Sequence, residues 1–349
     1  MLPWLGHFLL SVYGPFRLLT SRLFLIGLGT SAAALLVWAV LPRLWRRLPT
    51  DQGRAHAVGA AESTGKPVGA GLVLVGIFGV ACLLVIPFQA RWLELLACVL
   101  FASIEGFLDD RSHGGWAEYR LGVVDLVISA LGAVALCQFS PVTVWLPLLK
   151  APLVLSPWVY LPVATALIWL SINATNCTDG VDGLSGSLTI LALFYLGCIL
   201  YGVIGQPAIA RYLQVPHDHG AVPLAMMAFL MAGCLSGYLW HNANPSRVLM
   251  GDAGSRPLGF LVGTLALGTG NPFVLLVVGG VVLVNGATGL AKVALLRFFR
   301  ICIFRRVRWP LHDHVRQALG WSNTQVLLRF VLIQALGTPI LLLLLFKIR

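Results

Sequence analysis

Long apolar segments separated by short polar loops run through almost the whole chain. A helix needs about 20 mostly apolar residues to cross the hydrocarbon core of a bilayer, and fewer where its end is buried in protein. The pattern predicts an all-α, polytopic membrane protein with about ten transmembrane helices. The ten predicted segments are 20–42, 67–88, 92–108, 122–140, 157–172, 186–205, 221–240, 257–270, 272–296 and 324–346.

The least regular parts of this pattern are the N-terminus and the eighth segment. Residues 1–19 mix apolar and basic side chains, which favours a position along the membrane interface. The segment 257–270 is short and rich in glycine. Because no loop is long enough for a soluble domain and no internal repeat is evident, residues 1–349 form a single predicted domain.

The composition agrees with a protein embedded in lipid. Of the 349 residues, 58% are hydrophobic and 11% are charged, against about 25% charged in an average soluble domain. The seven cysteines contain no Cys-x-x-Cys pair, which argues against a zinc site or a disulfide framework. The net charge of +11, in loops between apolar spans, favours anionic lipid headgroups. We therefore expect membrane lipid, and no nucleic acid, as a partner.

The distribution of basic residues orients the predicted spans. With ten spans, one set of alternate loops holds fifteen lysines and arginines, and the opposite set holds three. Cytoplasmic loops carry the excess of positive charge in membrane proteins. Both termini are therefore predicted to be outside the cytoplasm. The predicted cytoplasmic loops are residues 43–66, 109–121, 173–185, 241–256 and 297–323.

Most acidic residues belong to the same predicted face. Nine of the thirteen aspartates and glutamates lie in the five cytoplasmic loops, and Glu105 comes just before one of them. The positive-inside rule does not require acids to accompany bases. A cluster of both signs on one face is typical of a binding or catalytic site.

The first candidate motif is an aspartate pair, Asp109 and Asp110, at the end of an apolar segment. Two adjacent carboxylates at a membrane boundary repel each other and are costly to desolvate. A divalent cation relieves both costs, and Mg²⁺ prefers carboxylates combined with substrate phosphates. A solvated helix end is the alternative interpretation.

The second motif is the polar segment 173–186, which carries Asn173, Asn176, Asp179 and Asp182. The two aspartates would share one face of a helix. Asparagine and aspartate also cap helices and form turns, but a turn explains only two or three such residues. The segment therefore predicts a binding function.

The third motif leads from Asn242 to Asp252, which lies between a glycine and a small residue at the start of an apolar segment. This setting suits a metal ligand or an anion-binding turn at a helix start. A simple turn is the alternative.

The fourth motif, His312-Asp313-His314, follows a basic run. Its side chains could bind phosphate, shuttle protons or ligate a metal. Phosphoryl transfer needs carboxylates for Mg²⁺, cations for phosphate charge and a base for the nucleophile. Together, the four motifs supply all of these on one predicted membrane face.

These motifs resemble the phospho-N-acetylmuramoyl-pentapeptide transferase family of the polyprenyl-phosphate sugar-1-phosphate transferase superfamily. The similar segments are FLDDR, NATNCTDGVDGLSG, NPSRVLMGDAGS and PLHDH followed by GW. The likeness is colinear over nearly the whole chain. It implies a ten-helix protein of the bacterial cytoplasmic membrane with both termini outside and its active site facing the cytoplasm, in agreement with the topology derived from charge.

The resemblance also implies a reaction in peptidoglycan precursor synthesis, and so a part in cell wall biogenesis, cell shape and cell division. In that family, undecaprenyl phosphate attacks the β-phosphorus of UDP-N-acetylmuramoyl-pentapeptide in the presence of Mg²⁺, which forms lipid I and releases UMP. A one-step reaction and a covalent aspartyl intermediate both stay open, as does the oligomeric state, for which a homodimer is one option.

Individual residues match the family's motifs. Asp109 and Asp110 match the aspartate pair, with Asp109 a candidate base, and Asp252 matches the metal-binding aspartate; all three are candidate Mg²⁺ ligands. The other predicted catalytic residues are His312 and His314. The predicted substrate-binding residues are Asn173, Asn176, Asp179, Asp182, Asn242, His113 and Lys66.

Several positions depart from the family pattern. His113 stands where a lysine usually follows the aspartate pair, and Asp313 replaces the middle member of a three-histidine motif. Lys66 begins a stretch that only loosely resembles the family's Thr-Pro-Thr-Met-Gly-Gly. Arg256 stands where a small apolar residue is usual, and Arg256 or Arg120 could restore the lost positive charge.

Two other interpretations are weighed. A related enzyme would transfer N-acetylglucosamine 1-phosphate to the same lipid, but the near-complete colinearity and the PLHDH segment favour the pentapeptide substrate. A non-catalytic relative or transporter that binds nucleotide or lipid would explain the lost lysine and histidine. A transporter, however, would place ionisable groups near the bilayer midplane, and here they collect at one edge.

Overall fold

The computed structural model describes residues 1–53 and 63–348. Regular structure in these residues is almost entirely helical. The helices are α1 Leu2–Leu9, α2 Arg22–Leu44, α3 Gly71–Val85, α4 Ala90–Arg111, α5 Glu118–Cys137, α6 Pro157–Thr178, α7 Leu184–Ile199, α8 Pro207–Tyr212, α9 Ala221–Asn242, α10 Asp252–Gly268, α11 Phe273–Val278, α12 Gly280–Val282, α13 Thr288–Phe299, α14 Leu311–Leu319 and α15 Asn323–Lys347. Arg54 and Glu62 of the predicted loop 43–66, and the terminal Arg349, lie outside the described residues.

A short β-hairpin is the element that the all-α prediction missed. Strand β1, Val142–Val144, pairs antiparallel with β2, Leu153–Leu155, in the connection between α5 and α6. Three residues are too few for the alternation of apolar and polar side chains that identifies a strand.

Seven helical stretches in the described residues are long and apolar enough to cross a membrane. They are Arg22–Arg47, Glu118–Cys137, Pro157–Thr178, Leu184–Ile204, Ala221–Asn242, Gly280–Phe299 and Asn323–Lys347. Helix α3 is apolar but shorter. These lengths indicate a multi-pass membrane protein. The remaining predicted segments also form helices, α4 and α10.

Two helices lie at the centre of the bundle. Helix α10 packs against α4, α6, α3 and α7, and its side chains are buried from Asp252 to Leu267. Helix α9 packs against α2, α7 and α3. A helix that is surrounded by protein does not have to match the thickness of the lipid, which explains why the segment of α10 is short. The outer helices expose large apolar side chains such as Trp158, Phe298 and Leu336, as lipid contact requires.

The ninth apolar segment is broken into α11, α12 and α13, with a π-helical turn at Leu283–Ala287. Lys292 of α13 donates to the carbonyl oxygens of Phe304 and Val307 at 3.1 and 3.0 Å. This side chain therefore anchors the basic loop that leads to α14.

Candidate active site

All four motifs lie at helix ends. The aspartate pair is in the last turn of α4, the polar segment ends α6, Asn242 ends α9, Asp252 begins α10, and His312 begins α14. Hydrogen bonds between these ends, described below, show that they share one end of the bundle.

Asp110 caps the N-terminus of α10. Its Oδ1 accepts the backbone N–H of Asp252, and its Oδ2 accepts that of Ala253, both at 3.0 Å. The first N–H groups of a helix have no partner within the helix, and a negative charge there is favourable to the helix dipole. Gly251, with φ of 72°, makes this approach feasible, because a Cβ there would lie 2.2 Å from Asp110 Oδ2.

Helix α4 also contacts the start of α10 along its backbone. A Cβ at Gly106 would lie 2.3 Å from the carbonyl oxygen of Asp252, so only glycine allows this approach. One turn earlier, the hydroxyl of Ser103 donates to the carbonyl of Ala253 at 2.8 Å. The aspartate pair and Asp252 are thus held together by direct packing of two helices.

Asp109 is half-buried and organises the turn that follows α4. Its Oδ1 accepts the backbone N–H of Trp116 at 2.5 Å, and its carbonyl oxygen accepts the hydroxyl of Ser112 at 2.8 Å. The guanidinium of Arg120 lies over the Trp116 ring, 3.6 Å from its centroid. Trp116 therefore connects Asp109 to the positively charged side chain of Arg120.

The carboxylate of Asp252 is bound by Arg256, one turn along the same helix. Nε and Nη2 of Arg256 both reach Asp252 Oδ2 at 2.8 Å. Nη1 of Arg256 donates to Oδ2 of Asp125, on α5, at 2.5 Å. The expectation that Arg256 restores positive charge for the substrate is therefore not favoured, because its donors bind two carboxylates. Arg120 is exposed and stays the better candidate.

Glu105 is buried beside this network. Neither of its carboxylate oxygens accepts a hydrogen bond within the part of the chain that the structure describes. The amide of Asn173 interacts with the Asp125 carboxylate and donates to the carbonyl of Trp169 at 2.9 Å. The sequence identified Asn173, but nothing in the local pattern connected Glu105, Asp125 and Arg256.

The polar segment is tied to α10 and to the loop that leads into it. Nδ2 of Asn176 donates to the hydroxyl of Ser255 at 3.0 Å. Oδ2 of Asp182 accepts the Asn244 amide and the backbone N–H of Ser246, both at 3.0 Å. These bonds fix the position of Asp252 relative to the second motif.

Asn242, at the end of α9, contacts two neighbouring loops. Its Oδ1 accepts the backbone N–H of Gly183, and its Nδ2 donates to the carbonyl of Val248, both at 2.8 Å. Asp179 follows the last residue of α6 as its C-cap. Asn242 therefore connects the loop after α6 to the loop before α10. Its predicted contact with substrate stays a prediction.

The stretch that begins at Lys66 runs beside the loop before Asp252. Nζ of Lys66 donates to the hydroxyl of Ser246 at 3.0 Å. The backbone N–H of Leu249 donates to the carbonyl of Pro67 at 2.8 Å, and that of Ala70 donates to the carbonyl of Leu249 at 3.2 Å. Lys66 thus contacts the loop that leads to Asp252, and its role in substrate binding stays a prediction.

His312 is buried and held by Asn285, which the sequence analysis did not single out. The backbone N–H of His312 donates to Asn285 Oδ1 at 2.8 Å, and His312 Nδ1 lies 3.1 Å from Asn285 Nδ2. Since Asn285 Nδ2 is a donor, Nδ1 accepts and the ring proton is on Nε2. The same Nδ2 donates to the Thr178 hydroxyl at 3.1 Å. An asparagine inside an apolar span was the available signal.

His312 Nε2 faces the second motif. A Cβ at Gly180 would lie 2.5 Å from this nitrogen. Burial, with a smaller contribution from the Arg316 guanidinium, lowers the pKa of His312 to about 4. The ring is therefore neutral near pH 7, and offers a hydrogen-bond donor rather than a positive charge.

The negative charge of Asp313 is offset by the neighbouring guanidinium of Arg316. Asp313 Oδ1 lies 3.4 Å from Arg316 Nη1 and 3.7 Å from His312 Nε2. Burial raises the pKa of Asp313, while Arg316 opposes this change. His314 is half-buried, and its Nδ1 accepts the backbone N–H of Arg308 at 3.4 Å.

His113 is exposed at the rim of the site. Its Nδ1 lies 3.5 Å from the Gln52 amide nitrogen, which connects the turn after α4 to the loop after α2. Its predicted contact with substrate stays a prediction.

The carboxylates fit a Mg²⁺ site that substrate completes. No three His, Cys, Asp or Glu side chains within residues 1–53 and 63–348 are placed to hold a metal ion by themselves. Mg²⁺ is usually bound by one or two carboxylates together with substrate phosphates and water. Both oxygens of Asp110 already accept backbone N–H groups. We therefore expect Asp252 and Asp109, rather than Asp110, to hold the ion.

Comparisons with known proteins point to one family. Residues 92–270 match the family model of glycosyl transferase family 4. The chain is 47% identical over 340 residues to the phospho-N-acetylmuramoyl-pentapeptide-transferase of Treponema pallidum strain Nichols, covering 97% of this chain and 94% of that protein. A second protein of that name, from Treponema pallidum subsp. pallidum, gives the same values. The enzyme of that name from Desulforapulum autotrophicum is 34% identical over 351 residues, covering 94% of this chain and 93% of that protein. The chain therefore belongs to the phospho-N-acetylmuramoyl-pentapeptide-transferase family.

Proposed function

We propose that the protein transfers phospho-N-acetylmuramoyl-pentapeptide from its UDP derivative to undecaprenyl phosphate, and so produces lipid I and UMP. The names of the relatives, at 47% and 34% identity, support this substrate pair. The structural observation that carries the proposal is the junction of α4 and α10. There Asp110 accepts the backbone N–H of Asp252, Asp109 is the preceding residue of α4, and Asn176 of the polar segment 173–186 donates to Ser255 of α10.

We further propose ten membrane crossings in the bacterial cytoplasmic membrane, with this junction on the cytoplasmic side. The excess of lysine and arginine in the loops of that face supports the orientation. It also suits the reaction, because the nucleotide substrate is soluble and the acceptor phosphate lies at the membrane surface.

In the proposed reaction, an oxygen of the lipid phosphate forms a bond to the β-phosphorus of the nucleotide substrate. The bond from that phosphorus to the bridging pyrophosphate oxygen breaks, and its electron pair leaves on UMP. In this proposal Asp109 takes the proton of a singly protonated lipid phosphate; its half-buried position at the end of α4 and the turn that its bond to Trp116 fixes support this role.

Asp252 and Asp109 would hold Mg²⁺, which would neutralise charge on the pyrophosphate. The protein's own cations contribute at the rim, where Arg120 lies over Trp116 and Lys66 contacts Ser246. His312 supplies a neutral Nε2–H donor toward the turn at Gly180. Fixed donors of this kind stabilise negative charge without reorganisation during the reaction.

The substrate assignment is tested with purified protein, undecaprenyl phosphate and Mg²⁺. UDP-N-acetylmuramoyl-pentapeptide and UDP-N-acetylglucosamine are offered separately, and the lipid products are resolved by mass spectrometry. We expect lipid I from the first substrate and no product from the second. A product from UDP-N-acetylglucosamine alone would favour the related transferase. Nucleotide binding without any lipid product would favour a non-catalytic relative.

A further inference from the structure

A buried network of charges lies behind the site. Arg256 and Asp252 are each 4% exposed, Glu105 is 3% exposed, and Asp125 is fully buried. Buried ions are costly in a protein and are retained where they are paired or carry a function. Three carboxylates, those of Asp252, Asp125 and Glu105, surround a single guanidinium here.

The guanidinium connects two helices through one rigid group. Nη1 of Arg256 binds Asp125 of α5 at 2.5 Å, while Nε and Nη2 bind Asp252 at 2.8 Å. The planar fork of arginine sets the angle between two such partners, which a flexible ammonium does not. Asp125 therefore fixes Arg256, and Arg256 in turn fixes the plane of the Asp252 carboxylate.

Both bonds from Arg256 to Asp252 reach the same oxygen, Oδ2. A metal ion bound by Asp252 would therefore meet a carboxylate of defined orientation. The positive charge beside Oδ2 would at the same time reduce the attraction of this carboxylate for a cation. The network thus fixes the orientation of the Asp252 carboxylate but reduces its affinity for a metal ion.

We propose that Arg256, anchored by Asp125, is a positioning residue that fixes the orientation of the Asp252 carboxylate for Mg²⁺ and at the same time lowers the affinity for the ion. This inference rests on the proposed role of Asp252 as a Mg²⁺ ligand. It assigns a function to a buried arginine and to an aspartate on a neighbouring helix.

The test uses a pair of substitutions that leaves the net buried charge unchanged. Arg256→Met alone would leave three buried carboxylates without their cation, and we expect it to destabilise the protein. The double variant Arg256→Met with Asp125→Asn removes one charge of each sign. The matched control is Arg91→Met with Asp218→Asn, an ion pair with Nη1 to Oδ2 at 2.6 Å that involves the opposite end of α4.

Two quantities are measured on purified protein. The first is binding of Mn²⁺ in the presence of UDP-N-acetylmuramoyl-pentapeptide and without undecaprenyl phosphate, followed by the electron paramagnetic resonance signal of the free ion. The second is kcat at saturating Mg²⁺. For the double variant we expect Mn²⁺ binding at least about threefold tighter and kcat at least about tenfold lower than in the wild type. Arg256→Lys keeps the charge but lacks the fork, so we expect its Mn²⁺ binding within about twofold of wild type and its kcat reduced.

Weaker Mn²⁺ binding in a folded double variant, or an unchanged kcat, would overturn the positioning role. A thermal unfolding midpoint well below that of the control pair, with both quantities reduced together, would instead show a structural role only and would also overturn it. Asp252→Asn separates the two proposals: if it binds Mn²⁺ as the wild type does, the metal role of Asp252 fails, whatever the double variant shows.

Discussion

At the scale of single residues, Asp252 is held both through its backbone and through its side chain. Its N–H is bound by Asp110, and its carboxylate is bound by Arg256. The backbone of this residue is therefore fixed from α4 and its side chain from within α10. Loss of the charge should affect a bound metal ion more than the fold.

The first prediction concerns Asp252→Asn, which preserves size and removes the charge. We expect kcat to fall at least about a hundredfold, equivalent to about 2.7 kcal/mol of lost transition-state stabilisation. The measurement is UMP release across a range of Mg²⁺ concentrations. The control is Glu94→Gln, an exposed acid toward the other end of α4, which we expect to leave kcat unchanged. Wild-type turnover and Mg²⁺ dependence in folded Asp252→Asn would disprove the assignment.

The second prediction concerns His312, whose pKa is lowered to about 4 by burial. The unfolded chain takes up this proton near pH 6.5, so the folded state loses stability as the pH falls from about 6.5 toward 4. The full effect is about 3 kcal/mol. The raised pKa of Asp313 has the opposite effect, because it makes the folded state more stable as the pH falls. The contribution of His312 is therefore found by comparing the pH dependence of variants.

We expect His312→Gln to lose less thermal stability between pH 7 and pH 5 than the wild type does. His219→Gln, at an exposed position between α8 and α9, serves as the control and should follow the wild type. Equal pH dependence in all three proteins would show that His312 does not contribute in this way.

The aspartates of the site could be found from the sequence because polar residues at the ends of apolar segments stand out. Arg256 stood out as well, but its partners could not be derived. Asp125 is far from it along the chain, and their contact depends on how α5 packs against α10. The contact between Asn285 and His312 could not be derived from the sequence either, because the position of Asn285 depends on the π-helical turn Leu283–Ala287.

At the scale of elements, the contact between α4 and α10 decides the geometry of the site. A methyl group at Gly106 would meet the carbonyl oxygen, the carbonyl carbon and the next nitrogen at the start of α10, within 2.3 to 2.6 Å. These are backbone atoms, so the helices would have to separate.

The third prediction is that Gly106→Ala destabilises the protein by about 1–3 kcal/mol or more, in the range of an overpacked core, and also lowers kcat. Gly76→Ala on α3 is the control, because no atom lies within 4 Å of a Cβ there. Thermal unfolding and UMP release are measured for both variants. A fully active and stable Gly106→Ala would contradict the proposed importance of this contact.

Helix positions followed from hydrophobicity with small shifts at the ends. The apolar segment 92–108 continues as helix to Arg111, and within this last turn Asp110 caps α10 while Asp109 accepts the backbone N–H of Trp116. The segment 272–296 is broken at Gly279 and again by the π-helical turn Leu283–Ala287. A periodic pattern does not reveal such interruptions, because the side chains on either side are equally apolar.

At the scale of the whole molecule, charge orients the protein. The fourth prediction is that the loops 43–66, 109–121, 173–185, 241–256 and 297–323 face the cytoplasm, because they hold most of the basic residues. A membrane-impermeant maleimide applied to intact cells should not label the native, exposed Cys302 or an engineered Ser112→Cys.

The matched control is His219→Cys, in the loop 205–220, which we expect to be labelled from outside. Exposed Cys198 is replaced by alanine in every variant to remove background. Permeabilised cells should allow labelling of all three sites. Labelling of Cys302 or Ser112→Cys in intact cells would contradict a shared cytoplasmic site.

The central claim is tested most directly by UMP release from UDP-N-acetylmuramoyl-pentapeptide, with and without undecaprenyl phosphate and with and without Mg²⁺. We predict many turnovers only when both are present. A single equivalent of UMP per protein without the lipid would indicate a covalent intermediate and would agree with the claim. The absence of turnover by folded protein with all components present would contradict it.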